Sequence, residues 1–236
     1  MTNALTIENF PVTTRWTPKN PEILQLFSYP TPNGVKVSIA LEEIGVDYEA
    51  HNVALSETTT PEFLSLNPNN KIPAIIDPNG PGGKPLPLWE SGAILIYLAE
   101  KHKMLLPDDP ADRFETFQWL MFQMGGIGPM FGQFGHFFKF AADKIEGCPY
   151  PMERYRDEAK RLLGVLEQRL EGRQWIMGDT YTIADIATFP WVYCADVFYG
   201  AAETLDYPSR TNIRRWFDAC MARPASIKGL DVPAQT

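Results

Sequence analysis

The sequence predicts two domains, an α/β domain followed by an all-helical one. Three observations carry that expectation. The order strand, helix, strand, helix, strand, strand, helix is legible over about eighty residues from Ile23 to Lys101. From Pro110 onward strand signals disappear. Pro151–Glu171 then carries a clear helical stripe of Tyr155, Ala159, Leu162, Leu163, Leu166 and Leu170, with charge on the other face. A small mixed sheet with helices packed on it, joined to a helical bundle, satisfies these patterns.

The elements follow in order. Residues 1–22 contain Pro11, Pro18 and Pro21, show no period and read as an N-terminal arm, packed or loose. Ile23–Phe27 reads as a short buried strand. Asn33–Glu43 turns helical, with Val35, Ile39 and Ala40 on one face and Gly45 as the stop. Tyr48–Val53 is a second strand, and strand–helix–strand order favours a right-handed parallel crossover. Pro61–Leu66 is a short helix ended before Pro68. Ala74–Asp77 and Pro87–Trp89, separated by a dense turn signal from Pro78 to Gly83, read as a hairpin. Glu90–Lys101 is a helix. The pattern change places the boundary near Leu106–Pro110, giving an arm 1–22, an α/β domain 23–106 and a helical domain 110–236. In the second domain Ala111–Met124 is a helix that Gly125, Gly126, Gly128 and Pro129 interrupt. Ile183–Val192 and Thr211–Ala222 are two more, the latter with a stripe of Ile213, Trp216, Phe217, Cys220 and Met221.

Composition bounds the function. The chain has 236 residues, 44% hydrophobic and 21% charged, with a formal charge of −8. These values are ordinary for a globular protein. An acidic chain without a basic cluster is a poor candidate for gripping nucleic acid or an anionic membrane, so neither is expected as a partner. Met1–Lys19 lacks the basic and apolar regions of a secretory signal. Cys148, Cys194 and Cys220 form neither a disulfide framework nor a zinc pattern, and sparse cysteine fits a reducing cytoplasm. They read as packing residues. His51, His102 and His136 lie on different elements, so no metal is expected.

Four motifs bear on chemistry. Thr31-Pro32-Asn33-Gly34 lies between the first strand and the first helix, where helix N–H groups and the positive dipole end are exposed. Such a junction lowers the pKa of a thiol placed there, yet the first 147 residues contain no cysteine. If thiolate chemistry occurs here, the sulfur arrives on a ligand; a plain capping turn accounts for the same residues. Ile72-Pro73 precedes a strand. A cis bond would free the Ile72 main chain to pair with an extended ligand, whereas an ordinary trans proline opening an edge strand is the commoner arrangement. Glu90-Ser91-Gly92 opens the third helix, where Ser91 and its N–H neighbours suit a carboxylate and Glu90 suits an ammonium; capping explains them equally. Tyr181-Thr182-Ile183-Ala184-Asp185 has the form of a capping box, so Asp185 reads as a folding residue. Gly125–Gly135 is glycine-rich without a nucleotide-binding context, which points to close packing or a kink.

These pieces, in this order, resemble the glutathione transferases. Asn70-Lys71-Ile72-Pro73-Ala74 and Glu90-Ser91-Gly92-Ala93-Ile94 are similar to that family's two glutathione motifs, and Tyr181–Asp185 to its folding motif. Thr31-Pro32-Asn33-Gly34, Gly125–Met130 and Phe134–Phe137 resemble the bacterial nu class, which is related to the yeast nitrogen-regulator protein. The resemblance implies a thioredoxin-like first domain, an all-helical second domain and a homodimer. It implies glutathione as cosubstrate without a metal, and Thr31 and Asn33 facing its sulfur. It implies a cis Pro73, Lys71 and Ile72 on the peptide, Glu90 and Ser91 on the γ-glutamyl end, and Arg154 on a second glutathione moiety. The implied activity is glutathione transfer or disulfide-bond reduction, on oxidised glutathione, a small disulfide or an electrophile. Phe131, Phe134 and His136 are candidates for the acceptor side, with core packing as the competing account. Ser56-Glu57-Thr58-Thr59-Thr60 departs from the family's Gly- and Gln-bearing loop, and Glu57 there would repel an anion. The competing function is a non-catalytic glutathione binder or regulator on the same fold.

Overall fold

The computed structural model describes Leu5 and residues 8–234. The described chain falls into two compact units, residues up to 102 together with those from 224 on, and residues 103–223.

The first unit is built on a four-stranded sheet of β1 (Leu24–Ser28), β2 (Tyr48–Asn52), β3 (Ala74–Asp77) and β4 (Leu86–Trp89), in the order β2-β1-β3-β4. β1 pairs parallel with β2 and antiparallel with β3, and β3 pairs antiparallel with β4. Helix α1 (Pro32–Ile44) makes the parallel crossover expected from the sequence. Thr31 caps it through a bond accepted from the Gly34 N–H, Pro32 occupies the first helical position, and Gly45 closes it at φ +75°. Every residue from Gly34 to Leu41 is buried, because α1 packs against β1, α3 (Ser91–His102) and α9 (Pro224–Gly229). The chain's last helix thus returns to the first unit, which no local pattern signals. Ser38 Oγ donates to the Gly229 carbonyl at 2.6 Å. A Cβ on Gly229 would stand 2.7 Å from Ile39, so the helices meet only because that residue lacks one. Helix α2 (Pro61–Leu66) is short and capped by Thr60.

The arm is part of this unit where it is described; residues 1–4, 6 and 7 lie outside the described residues. Leu5, Val12 and Trp16 are buried in the cluster that holds Phe27, Phe63 and Ile72. Trp16 meets Phe27 and Phe63 edge-on, with ring centroids 6.4 and 6.1 Å apart, and its Nε1 donates to the Asn52 carbonyl at 3.0 Å.

The second unit is helical: α4 (Pro110–Phe122), α5 (Gly128–Gly135), α6 (Tyr150–Arg169), α7 (Ile183–Tyr193) and α8 (Thr211–Met221). The glycine-rich stretch does not break α4 as expected. A π-helical turn over Gln123–Ile127 carries the helix into α5, and a second follows at His136–Phe140. The glycines serve approach instead: a Cβ on Gly135 would sit 2.1 Å from the Tyr199 ring. Phe131 and Phe134 are fully buried in this unit, and His136 is exposed. Asp185 is the hub that its capping box implies. Its carboxylate accepts from the Ile176 N–H at 2.9 Å, Trp216 Nε1 at 2.9 Å, the Thr182 N–H at 3.0 Å and Thr182 Oγ1 at 3.3 Å.

Candidate functional site

Strand register decides which segments meet. Phe27 is paired with Ala74, and Ala74 with Trp89. β1 therefore ends, β3 begins and β4 ends at one edge of the sheet. Three motifs lead off that edge: Thr31–Gly34 after β1, Ile72-Pro73 before β3, and Glu90-Ser91 after β4. Residues separated by up to sixty positions in sequence are thus brought to one end of the same sheet.

At the first motif, Thr31 Oγ1 accepts the Gly34 N–H at 3.2 Å. Used as an acceptor for the cap, the hydroxyl keeps its own proton to donate outward. Asn33 lies one residue inside the helix and is half-buried. At the second motif the Ile72–Pro73 bond is cis, matching the resemblance and not the commoner trans form. Ile72 lies just outside the β3 ladder, whose pairs begin at Ala74. Lys71 is exposed. Its carbonyl accepts from Asn67 Nδ2 at 2.6 Å, while Asn67 Oδ1 accepts the Asn69 N–H at 2.9 Å. Asn67 is buried and ties the turn before Pro73, a role that sequence reading missed because an asparagine before proline reads simply as a loop.

At the third motif, Glu90 holds φ +75° while its carbonyl accepts the Ile94 N–H at 2.9 Å. An L-residue in that region is strained, so the turn from β4 into α3 is held by its surroundings. Ser91 opens α3 and is buried. Its Oγ lies 3.4 Å from Lys36 Nζ. Lys36 is wholly buried in α1, and burial pulls its pKa down to about 7 against the opposing influence of the Glu90 carboxylate. Sequence reading missed this lysine as well. The only signal was a single cation inside the run Val35–Leu41.

Two features modify expectation. Glu57 is not a bare anion: Arg15 Nε donates to its carboxylate at 3.1 Å, and that hydrogen bond holds the carboxyl below its ordinary pKa. Arg15, from the arm, thus pairs the Glu57 charge from which repulsion of an anion is expected. In the second unit, Arg154 is exposed on α6.

The comparisons decide the family. The glutathione S-transferase N-terminal domain matches residues 22–100, and the glutathione S-transferase C-terminal domain matches residues 132–224. The chain belongs to the glutathione S-transferase family. It is 43% identical over 211 residues to the disulfide-bond oxidoreductase YfcG of Escherichia coli (strain K12), covering 88% of this chain and 94% of that one. A glutathione transferase of Burkholderia graminis, solved with two glutathione molecules per subunit, superposes with a TM-score of 0.97 at 60% identity, covering 100% and 98% of the two chains. One from Pseudomonas putida, solved with one glutathione disulfide per subunit, gives 0.94 at 56% identity, covering 97% and 99%. The thioredoxin-like domain and helical domain expected of this transferase family are both present.

Among the described residues no group of three or more His, Cys, Asp or Glu could hold a metal ion. Among the same residues no helix is long and apolar enough to cross a membrane. Cys194 and Cys220 are buried and Cys148 is exposed, none of them in a disulfide; burial raises the pKa of Cys194 to about 11, away from nucleophilic use.

Proposed function

We propose that this protein is a glutathione-dependent disulfide-bond reductase and transferase that uses the thiolate of bound glutathione. The observation that carries the reading is the strand register, which sets a helix N-terminus, a cis-proline segment and a second helix N-terminus along one edge of one sheet. A tripeptide with a thiol and two anionic ends suits such an edge. The peptide would lie extended along Ile72–Pro73, beside the exposed Lys71. Its γ-glutamyl carboxylate would sit on the α3 N-terminus at Ser91, with Glu90 answering the ammonium. Its sulfur would sit at the α1 N-terminus.

There Thr31 Oγ1 and Asn33 donate hydrogen bonds to the sulfur. Charge-assisted bonds and the helix dipole favour the thiolate over the thiol, and each unit by which its pKa falls is worth about 1.4 kcal/mol. The thiolate attacks one sulfur of a disulfide, forming a mixed disulfide and expelling the other sulfur as a thiolate. A second glutathione then attacks the mixed disulfide, releasing the reduced product and oxidised glutathione. The protein supplies no redox cysteine pair for this sequence of steps, since its first cysteine is Cys148. The relatives solved with two glutathiones and with glutathione disulfide support that route. On an electrophilic carbon the same thiolate would form a thioether. Residues 23–106 are read as the glutathione-binding domain and 110–236 as the helical one, its stretch from 224 on packing with the first unit, and Arg154 is included as a contact to the second glutathione on the resemblance alone. A cytoplasmic homodimer completes the reading. Phe114 and Met121, exposed and seven residues apart on α4, are apolar side chains that a dimer contact would cover.

The test is turnover of glutathione with a small disulfide, such as hydroxyethyl disulfide, and with a chloronitrobenzene. Thr31→Ala and Asn33→Ala are each expected to lower turnover about 10-fold or more, while glutathione still raises the melting temperature. Unchanged turnover in both variants removes them as sulfur-side residues. Thermal stabilisation by glutathione without turnover on either substrate class would favour the binder over the enzyme.

A further inference from the structure

Lys36 stands outside the glutathione motifs, yet it touches one of them from below. Its side chain is fully buried, it issues from the second turn of α1, and its Nζ reaches Ser91 Oγ across 55 positions of sequence. An ammonium is costly to bury, and packing alone would be served better by an apolar side chain of similar length. We propose that Lys36 is a positioning residue for glutathione, holding Ser91 Oγ from beneath so that its O–H points to the ligand's γ-glutamyl carboxylate and supplying positive charge behind that carboxylate. This rests on the placement of the γ-glutamyl end at Ser91 given above.

The chemistry is a relay of donors. Lys36 Nζ donates to Ser91 Oγ, and Ser91 O–H donates to the carboxylate. A hydroxyl that accepts from a cation is a stronger donor in turn. The carboxylate also favours the ammonium form of Lys36. Ligand binding and protonation of Lys36 therefore promote one another, by an equal amount in both directions.

Other groups bear on that proton. α1 packs on α3, α9 and β1. α3 is preceded by Glu90 and carries Tyr97, Glu100, Lys101 and His102, α9 carries Lys228, and β1 carries no titratable side chain. Glu90 is the neighbour whose charge supports the ammonium. Lys228 is paired with Glu42 at 2.8 Å and Lys101 with Asp77. His51 and His102 both have pKa values lowered mainly by burial.

The experiment uses S-methylglutathione, whose blocked sulfur removes the thiol proton from the balance. Isothermal titration calorimetry on wild type is expected to show affinity falling about tenfold between about pH 6 and about pH 8.5 as Lys36 loses its proton before binding. Near pH 7.5 binding should take up a proton, read as a dependence of the observed heat on the buffer's ionisation enthalpy. Lys36→Met is expected to bind about tenfold more weakly near pH 6, with the slope and the proton uptake abolished. A merely structural lysine would leave the slope in place. If K36M does not fold, the wild-type uptake decides: uptake growing as pH rises from about 6 to about 7.5 supports the role, and no uptake overturns it. Binding with the same pH slope in K36M also overturns it while leaving the glutathione reading intact. Failure of wild type to bind S-methylglutathione at any pH removes the glutathione reading, and this inference with it.

Discussion

Asp185 shows how one side chain can join distant parts of a fold. Four donors from Ile176, Thr182 and Trp216 converge on its two oxygens. Asn in its place would turn an N–H₂ toward at least one of those donors. Asp185→Asn is expected to lower stability by about 2–4 kcal/mol in a denaturant titration, with the glutathione affinity of the folded fraction unchanged. Lys36 makes a second prediction at this scale. Its folded pKa, about 7, lies below the ordinary 10.5 of an exposed lysine. Between those values the unfolded chain holds more protons than the folded one, so stability rises with pH across that window. Below about pH 7 both states are protonated and the cost of the buried ammonium is felt in full. Denaturation midpoints of ligand-free wild type at about pH 7 and about pH 9.5 should therefore separate more than those of Lys36→Met. That slope is opposite in sign to the slope expected for ligand affinity.

At the scale of elements, the N-terminal arm is a working part of the first unit. Trp16 fills the space between Phe27 and Phe63, and Arg15 engages Glu57 in the loop that departs from the family pattern. Trp16→Ala is expected to destabilise the protein by about 3–5 kcal/mol in a denaturant titration, the range of a large buried aromatic. Arg15→Ala leaves the Glu57 carboxylate less compensated. It is expected to weaken glutathione binding measurably at low salt and less so at high salt, because the exposed charge is then screened. Most elements were legible. The capping of α1 and α7 follows from Thr31 and Thr182 standing before helical periodicity, and the hairpin from the turn residues between Asp77 and Leu86. The continuity of α4 into α5 was not legible. Local propensity counts Gly125, Gly126 and Gly128 as helix breakers, but packing outweighs a cost of about 1 kcal/mol per glycine.

At the scale of the whole molecule, one prediction concerns assembly. Light scattering is expected to give twice the chain's 26.7 kDa. A second concerns ligand count: native mass spectrometry with excess glutathione should show two glutathiones, or one glutathione disulfide, per chain. One glutathione per chain under every condition would favour conjugation over disulfide exchange. By itself the sequence determined the chain's local character. It set the helical and strand periods, the change from α/β to helix near Pro110, the capping residues, and the lack of cysteine before Cys148 that leaves the sulfur to a ligand. These are properties of residues within about four positions of one another, where backbone sterics and side-chain period act directly. Only the tertiary structure decided that Thr31, Pro73 and Ser91 share one sheet edge, that the last helix returns onto α1, and that Lys36 lies sealed beneath Ser91. Register and burial are set by the packing of segments far apart in the chain, and no local pattern encodes which of them will meet.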